Sequence, residues 1–260
     1  MSQRSELPIA VIDSGVGGIS VLRELLKIMP NENYIYYGDS INAPYGVKTK
    51  SEVLDITRKN LKYLKNLGIK ALVIACNTAT SAAAQTLREE EKELPIIGIE
   101  PAIKPASLLC ENPRVIVMAT PLTLKEEKFL MLADRFAGKE EIIPLPCPGL
   151  VELIESGNTD GDEIDAHLHR LFKPFISQRI DAVVLGCTHY PHVKAAIARH
   201  APKGAVILDG GMGTARHTRT RLAEAGLLRT SHETGKIRII NTSPDPRLPF
   251  FCKQLLYKKC

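Results

Sequence analysis

Two apolar runs that each end in a cysteine constrain the fold of this chain more than any other feature. Their sequences are IKALVIAC, at residues 69–76, and IDAVVLGC, at residues 180–187. Runs of this length, rich in Val, Ile and Leu, are typical of buried strands in a parallel sheet. Small polar residues follow both cysteines. We therefore expect each thiol just beyond the carboxyl end of its strand, where open α/β sheets carry their functional groups.

The repetition extends over most of the chain. The strand Ile9–Ile12 and its Asp-Ser loop are echoed by Val115–Met118 and its Ala-Thr loop, at an offset of 106 residues (9 to 115), and the cysteines lie 111 residues apart (76 to 187). Strand and helix patterns alternate in both halves, which is typical of parallel α/β sheets. We therefore predict an α/β protein of two pseudo-symmetric parallel-sheet domains, with the active site in the cleft between them.

The segment that follows Asp209 has no evident counterpart in the second half of the repeat. We return it to the first domain, so that residues 1–97 and 208–260 form the first α/β domain and residues 98–207 form the second. Within the first domain, the residues after the cysteine run predict an alanine-rich helix from Ser81 to about Glu91.

The composition indicates an ordinary globular protein. Of the 260 residues, 44% are hydrophobic and 24% are charged. No run approaches the roughly 18 apolar residues of a membrane-spanning helix, and the polar N-terminal stretch has no apolar signal segment behind it, so we expect a cytoplasmic protein without a membrane partner. The 34 basic and 29 acidic residues are spread along the chain, which does not favour a nucleic-acid partner.

The glycine-rich loop at residues 14–18 offers backbone N–H groups and a helix N-terminus to an anion. It does not fit a dinucleotide fingerprint, because Ser20 occupies the position of the third glycine. Asp39 lies at a plausible distance along the chain for a ribose contact, but no other feature supports a nicotinamide cofactor.

The two recurrent cysteines suggest acid–base chemistry. The six cysteines show no Cys-x-x-Cys spacing, so reduced thiols are expected. Cys76 and Cys187 could simply be buried core residues. A thiolate is a base as well as a nucleophile, and Asp13 and His189 are placed to assist one thiol each. One cysteine with a histidine would suggest a hydrolase. Two cysteines in symmetric loops instead suit a reaction that inverts a carbon, which needs an acid and a base on opposite faces.

A zinc site is the competing interpretation of the second cysteine. Cys187, His189 and His192 are three potential ligands, but Pro191 interrupts the run and no second Cys or His pair completes a tetrahedral set. The sequence therefore predicts no metal site.

Six motifs, spread over about residues 8–256, share one family resemblance. They are Asp13-Ser14-Gly-x-Gly-Gly, Tyr37-Gly-Asp39-Ser40 with Pro44-Tyr45-Gly46, Ala75-Cys76-Asn77-Thr78-Ala79, Ala119-Thr120-x-x-Thr123, Cys147-Pro148 with Glu155, and Gly186-Cys187-Thr188-His189-Tyr190-Pro191. Together they resemble the bacterial glutamate racemases of the aspartate/glutamate racemase family. The related aspartate racemases commonly carry glutamate after the second Cys-Thr, so His189 favours glutamate as the substrate.

The resemblance implies a two-domain enzyme that interconverts L- and D-glutamate without a cofactor and supplies D-glutamate for peptidoglycan. Neither a metal, pyridoxal phosphate nor a nucleotide would be needed, and a homodimer is expected. Cys76 would take the α-proton from D-glutamate and Cys187 from L-glutamate. Asp13 would assist Cys76, and His189, oriented by Glu155, would assist Cys187.

The resemblance also implies a set of residues that hold the carboxylates and the ammonium group of the substrate. With Asp13 and His189, this set comprises Ser14, Tyr45, Gly46, Asn77, Thr78, Thr120, Thr123 and Thr188. After Thr123 the family often has a serine and an aromatic residue, where this chain reads LKEEKF at residues 124–129, so the resemblance implies no substrate contact from that helix. An aspartate racemase and a non-catalytic two-lobed amino-acid-binding protein remain as alternatives, and turnover by the pure protein separates the second from both enzymes.

Overall fold

The computed structural model describes residues 3–120, 123–124 and 141–257. The chain divides into two compact units: the first comprises the residues up to Glu100 and those from Gly211 onwards, and the second comprises Pro101–Gly210. The helix expected after Thr123 lies outside the described residues beyond position 124. No helix in the described ranges is both long enough and apolar enough to cross a membrane.

Nine strands are found in the described residues, and every pair of neighbouring strands is parallel. In chain order they are β1 (Ile9–Asp13), β2 (Tyr34–Gly38), β3 (Ala71–Ile74), β4 (Ile96–Gly98), β5 (Arg114–Ala119), β6 (Glu141–Pro146), β7 (Ala182–Leu185), β8 (Val206–Asp209) and β9 (Ile237–Asn241). The sheet of the first unit has the order β4-β3-β1-β2-β9, and that of the second has the order β6-β5-β7-β8. Both units are thus built on parallel α/β sheets, as the alternating pattern predicts.

The strand pairings of the two sheets show the same duplication. In the first sheet Ile9 pairs with Tyr34 and Ala71, and in the second Val115 pairs with Ile142 and Ala182. The pairing of β3 with β4 is repeated by β7 with β8, so β8 is the counterpart of β4. Because β8 keeps its pairing with β7 through Asp209, the second unit extends past the sequence-based boundary at 207/208. Strand β9 has no counterpart among the described strands of the second sheet.

Nine α-helices lie wholly within the described residues. They are α1 (Ile19–Ile28), α2 (Lys50–Asn66), α3 (Asn77–Glu90), α4 (Ile103–Ala106), α5 (Leu150–Glu155), α6 (Asp162–Phe172), α7 (Lys194–His200), α8 (Gly211–Glu224) and α9 (Arg247–Tyr257). In the first unit α1, α8 and α9 pack on one face of the sheet, and α2 and α3 pack on the other. In the second unit α5, α6 and α7 share one face, and α4 lies on the opposite one.

Helix α3 begins at Asn77 rather than at Ser81, where the sequence predicts it. The backbone N–H of Thr80 donates to the carbonyl of Cys76 at 2.9 Å, and the N–H of Ala79 donates to the Cys76 sulfur at 3.4 Å. Cys76 is therefore the N-cap of the helix, and the small polar residues that follow it form the first helical turn instead of a loop.

A buried ion pair lies at the amino end of the first sheet. Lys70 precedes β3 and is fully buried, and its ammonium group donates to Glu32, which is also buried, and to the carbonyl of Ser5 at 2.5 Å. The second oxygen of Glu32 accepts the backbone N–H of Arg229 at 2.8 Å. This pair connects the N-terminal residues, the segments that precede β2 and β3, and the C-terminal segment of the first unit.

We expect Lys70→Met to destabilise the protein by about 3–5 kcal/mol, because it leaves the carboxylate of Glu32 buried without its counter-ion. The matched control is Lys65→Met, which removes a pair with Glu91 between side chains that are 45% and 28% exposed and costs about 0–1 kcal/mol. Urea unfolding of both variants measures the difference. Equal losses would show that the buried pair contributes no more than an exposed one.

Candidate active site

Cys76 lies where strand β3 ends and helix α3 begins. Its side chain is buried, at 6% exposure, and the sulfur accepts the N–H of Ala79 in the first turn of the helix. The unpaired N–H groups and the dipole of a helix N-terminus stabilise negative charge, so this position favours the thiolate form of a cysteine.

Asp13 and Ser14 lie beside Cys76 at the end of strand β1. The Cys76 sulfur is 3.7 Å from the hydroxyl oxygen of Ser14, and the buried carboxylate of Asp13 accepts the N–H of Gly15 at 3.0 Å. Gly18 makes this arrangement possible, because a Cβ at that position would lie 2.7 Å from the Cβ of Asp13. Ser14 thus contacts the first thiol, and Asp13, the predicted helper, is its neighbour in the chain.

Asn77 and Thr78 are the first two residues of α3, and both side chains are buried. The Oδ1 atom of Asn77 has no hydrogen-bond partner among the described residues. A buried acceptor without a partner costs about 1–3 kcal/mol. A ligand with an N–H donor, such as an amino-acid ammonium group, would remove that cost.

Tyr45 is held by a buried polar group that the sequence motifs did not identify as part of the site. Its hydroxyl donates to Asp39 at 2.6 Å, and the side-chain amide of Asn60 donates to the same carboxylate oxygen at 2.8 Å. Burial, Asp39 and the charges of Cys76 and Asp13 together raise the pKa of Tyr45. The signal that could have revealed Asn60 is its position as a polar residue on the otherwise mainly apolar buried face of α2.

Cys187 occupies the equivalent place after strand β7, but a different kind of group contacts its sulfur. Its sulfur lies 3.7 Å from Nδ1 of His189, and Nε2 of that ring lies 2.9 Å from Oε1 of Glu155. Burial opposes charge on the imidazole, yet the hydrogen bonds and negative charges of Cys187 and Glu155 outweigh it, so the pKa of His189 is raised above its ordinary value. The bond to Glu155 thus holds the imidazole beside the Cys187 sulfur.

Pro191 explains why the two thiols differ. In the first unit the N–H of Thr80 bonds to the carbonyl of Cys76, whereas Pro191, at the equivalent position, has no N–H to donate to Cys187. The N–H of Tyr190 bonds to the Cys187 carbonyl instead, which produces the 3-10 turn Tyr190–Val193, and α7 starts only at Lys194. Cys187 is therefore not a helix N-cap, and its support comes from a titratable side chain.

Thr120 and Thr123 form a hydroxyl pair at the end of strand β5. Their side-chain oxygens are 2.9 Å apart, and the backbone N–H of Thr123 donates to Thr120 at 3.3 Å. Thr188, next to Cys187, is buried, and Gly46 follows Tyr45 in the 3-10 turn Tyr45–Val47. Each predicted substrate-binding residue thus lies at the carboxyl edge of its own sheet.

Cys147 is a buried core cysteine with which Cys76 and Cys187 can be compared. It is buried at the end of strand β6, its thiol donates to the carbonyl of Leu145 at 3.3 Å, and burial raises its pKa to about 12. It has neither a helix N-terminus nor a histidine to favour the thiolate. Cys76 and Cys187 have one of these each, which argues against the view that they merely fill the core.

The alternative of a metal centre finds no support in the arrangement of side chains. Within the residues that the structure describes, no three His, Cys, Asp or Glu side chains are grouped as metal ligands. Cys187, His189 and His192 therefore do not form such a group.

Comparison with known proteins assigns the family. A profile described as Asp/Glu/hydantoin racemase matches residues 9–218. The chain belongs to this family. A glutamate racemase of Clostridium perfringens is 49% identical over 249 residues, which cover 96% of each chain. One from Clostridium acetobutylicum is 50% identical over 252 residues, covering 96% of this chain and 97% of the relative. The resemblance drawn from the six motifs is confirmed.

Solved structures of the same family share the fold. The glutamate racemase of Francisella tularensis, in complex with D-glutamate, superposes with a TM-score of 0.85 at 28% identity and covers 98% of this chain and 95% of that one. The Escherichia coli glutamate racemase, in complex with L-glutamate and the activator UDP-MurNAc-Ala, has a TM-score of 0.82 at 30% identity, with coverages of 96% and 92%. The predicted α/β class is confirmed by both.

Proposed function

We propose that this chain is a cofactor-independent racemase that interconverts L- and D-glutamate by proton transfer at Cα. The observation that carries the proposal is the repeated strand end. Strands β3 and β7 hold equivalent positions in the four-strand order that the two sheets share, and each leads into a cysteine, one at a helix N-terminus and the other beside a histidine. The names of relatives at about half identity support glutamate as the substrate.

In the proposed reaction the two thiols exchange roles in each turnover. The Cys76 thiolate removes the α-proton of D-glutamate, and the thiol of Cys187 delivers a proton to the opposite face. L-glutamate leaves, and the enzyme then carries a protonated Cys76 and a Cys187 thiolate, which is the form that accepts L-glutamate. No electron pair leaves the substrate, so the balance requires neither an oxidant nor a cofactor.

The surroundings of each thiol suit this chemistry. The α-proton of an amino acid is very weakly acidic, so a base acts on it only where water is excluded and fixed dipoles oppose the developing charge. Both thiols are more than nine-tenths buried. The orphaned Oδ1 of Asn77 offers an acceptor to the substrate ammonium, and the hydroxyl groups of Ser14 and Thr188 and the pair Thr120–Thr123 offer donors to its carboxylates.

The wider roles belong to the same proposal. Supply of D-glutamate to peptidoglycan, a cytoplasmic location and a homodimer are carried over from the resemblance to bacterial glutamate racemases. Asp13, His189 and Glu155 are proposed as helpers of the thiols, and Gly46 and Thr78 as substrate contacts.

Dialysed protein without additives should bring the optical rotation of an L-glutamate solution to zero. We expect kcat/KM for aspartate to be at least about 100-fold lower, because a substrate one methylene shorter leaves its distal carboxylate short of the donors. Polarimetry with both amino acids measures this. Equal or better rates with aspartate would reject glutamate as the substrate, and calorimetric binding of glutamate without any turnover would indicate an amino-acid-binding protein.

A further inference from the structure

A second buried carboxylate lies at the carboxyl edge of the first sheet, which is also the edge that carries Cys76. Asp39, which follows strand β2, is 1% exposed, and its two oxygens accept hydrogen bonds from four side chains. The donors are the Tyr45 hydroxyl at 2.6 Å, the Asn60 amide at 2.8 Å, the Asn42 amide at 3.0 Å and the Thr242 hydroxyl at 3.3 Å. We call these five residues the Asp39 cluster.

The cluster joins three separate parts of the first unit. Asn42 and Tyr45 belong to the loop after β2, and Asn60 belongs to helix α2. Thr242 is the residue that directly follows β9. Thr242 also fixes the loop directly, since its hydroxyl accepts the N–H of Ile41 at 3.0 Å. The position of this donor depends on β9, a strand that has no counterpart among the described strands of the second unit.

The equivalent position in the second unit shows that the cluster is not a general need of this fold. Strand pairing aligns Asp13 with Gly38 and Ala119 with Pro146, so Cys147 stands where the first unit has Asp39. An ordinary buried thiol fills that place. A buried carboxylate lowers the stability of the fold unless it is fully hydrogen-bonded. Its occurrence at this position in the unit of Cys76, and not in the other unit, therefore indicates a function in the first unit.

The Tyr45 hydroxyl has no hydrogen left for a substrate. It donates to Asp39, and its oxygen lies 3.3 Å from the amide of Asn60, which donates to it. Burial and Asp39 keep the phenol protonated by raising the pKa of Tyr45. Tyr45 and Cys76 belong to the same buried cluster of the first unit. The hydroxyl therefore acts as a tether between the loop and Asp39.

We propose that Asp39 is a positioning residue for substrate binding: through Tyr45 it holds the loop of Tyr45 and Gly46 beside Cys76, without itself touching the substrate. This inference rests on the proposed function, in which that loop contacts glutamate. A loop that must be ordered at each binding event weakens the ground state and the transition state alike, so its loosening raises KM and leaves kcat nearly unchanged.

The first test replaces the charge and keeps the shape. In Asp39→Asn the new amide group faces the amide donors of Asn42 and Asn60, so the cluster loses at least one bond to a charged acceptor. We expect KM for glutamate to rise by about tenfold or more, the usual worth of such a bond, with kcat changed less than about threefold. Because the enantiomers have equal free energies, kcat/KM must fall equally in both directions, which checks the data.

The matched control is Glu32→Gln. Glu32 is also a buried carboxylate and precedes the same strand, β2, at its opposite end. We expect this variant to lose stability while KM stays that of the parent. If Asp39→Asn and Glu32→Gln both lower the unfolding midpoint and neither changes KM, Asp39 is only a structural residue and the proposal is overturned.

A rescue variant separates positioning from general damage. In the double variant Asp39→Asn/Asn60→Asp the carboxylate moves to residue 60, whose side-chain terminus lies 2.8 Å from residue 39 and 3.3 Å from the Tyr45 hydroxyl. We expect KM to return most of the way to that of the parent. A double variant that regains stability but keeps the raised KM would contradict the proposal.

Tyr45→Phe decides the question if Asp39→Asn does not fold. It removes only the tethering O–H, and we expect a rise in KM similar to that of Asp39→Asn, whereas an unchanged KM would refute the tether. A parent protein that does not racemise glutamate would refute the proposed function together with this inference. An active parent whose Asp39 and Tyr45 variants keep the parent KM would refute this inference alone.

Discussion

Replacement of either proposed catalytic cysteine, Cys76 or Cys187, by alanine should stop racemisation and leave proton exchange on one enantiomer only. We expect Cys76→Ala to lower racemisation by about 10³-fold or more, because the base or acid on one face is lost. Cys187 remains able to remove the α-proton of L-glutamate and return a solvent proton to the same face. In heavy water this variant should therefore exchange the α-proton of L-glutamate slowly, and Cys187→Ala should exchange that of D-glutamate.

The parent protein supplies the reference for this experiment. At early times in heavy water, L-glutamate should yield D-glutamate that carries deuterium at Cα, while the remaining L-glutamate stays largely protiated, since separate thiols act on the two faces. Proton NMR and chiral chromatography follow both species. Cys252→Ala is the matched control, because Cys252 is fully buried in helix α9 within the first core and should affect stability but not turnover. Racemisation by Cys76→Ala near the parent rate would disprove the two-thiol mechanism.

The second large effect is expected from the histidine that contacts Cys187. His189→Asn keeps a polar atom near the sulfur but removes the cation and the link to Glu155. We expect kcat to fall by about 10²-fold or more, the usual contribution of a group that sets the protonation of an acid or base. Since kcat/KM must remain equal for the two enantiomers, it falls in both directions, and coupled assays with each enantiomer measure it. A kcat within threefold of the parent would remove His189 from the mechanism.

Glu155→Gln tests the same contact through stability. The pKa of His189 is raised in the folded protein, partly by Glu155, so the contact stabilises the fold fully below the unfolded pKa, about 6.5, and this contribution is lost as the pH rises through the folded value. The stability difference between parent and Glu155→Gln should therefore be largest between about pH 5 and 6.5 and decline above that range. Glu152→Gln, on the same short helix but exposed, should show no such trend. A difference independent of pH would contradict the charged imidazole.

The repeat was the part of the fold that the sequence predicted best. Buried parallel strands are short, continuous apolar runs, and a duplicated set of such runs is visible without any knowledge of pairing. The link between β4 and β8 was not visible, because two short apolar runs are too common a pattern to identify a pair, and it is their equal register against β3 and β7 that relates them.

Local signals failed where a contact from elsewhere in the chain decides the structure. The start of α3 was placed too late, because Asn77 and Thr78 are typical of loops, and the capping role of a cysteine is not a propensity that a sequence displays. The Asp39 cluster needed the structure for the same reason: Asn60 and Thr242 reach Asp39 only after helix α2 and strand β9 have packed beside β2.

The discontinuity of the first unit has a consequence for how the protein is made. The apolar side of α1 is covered by α8 and α9, and the edge of β2 is paired by β9, all of which follow the second unit in the chain. When only residues 1–100 have left the ribosome, the core on the α1 side of the first sheet therefore lacks α8 and α9. One edge of β2 is unpaired, and the apolar side of α1 is uncovered. The second unit is contiguous and is complete once Gly210 has emerged, so it can fold first although it is synthesised second. A chain that stops short of β9 therefore carries the second thiol in a complete unit and the first one in an unfinished sheet.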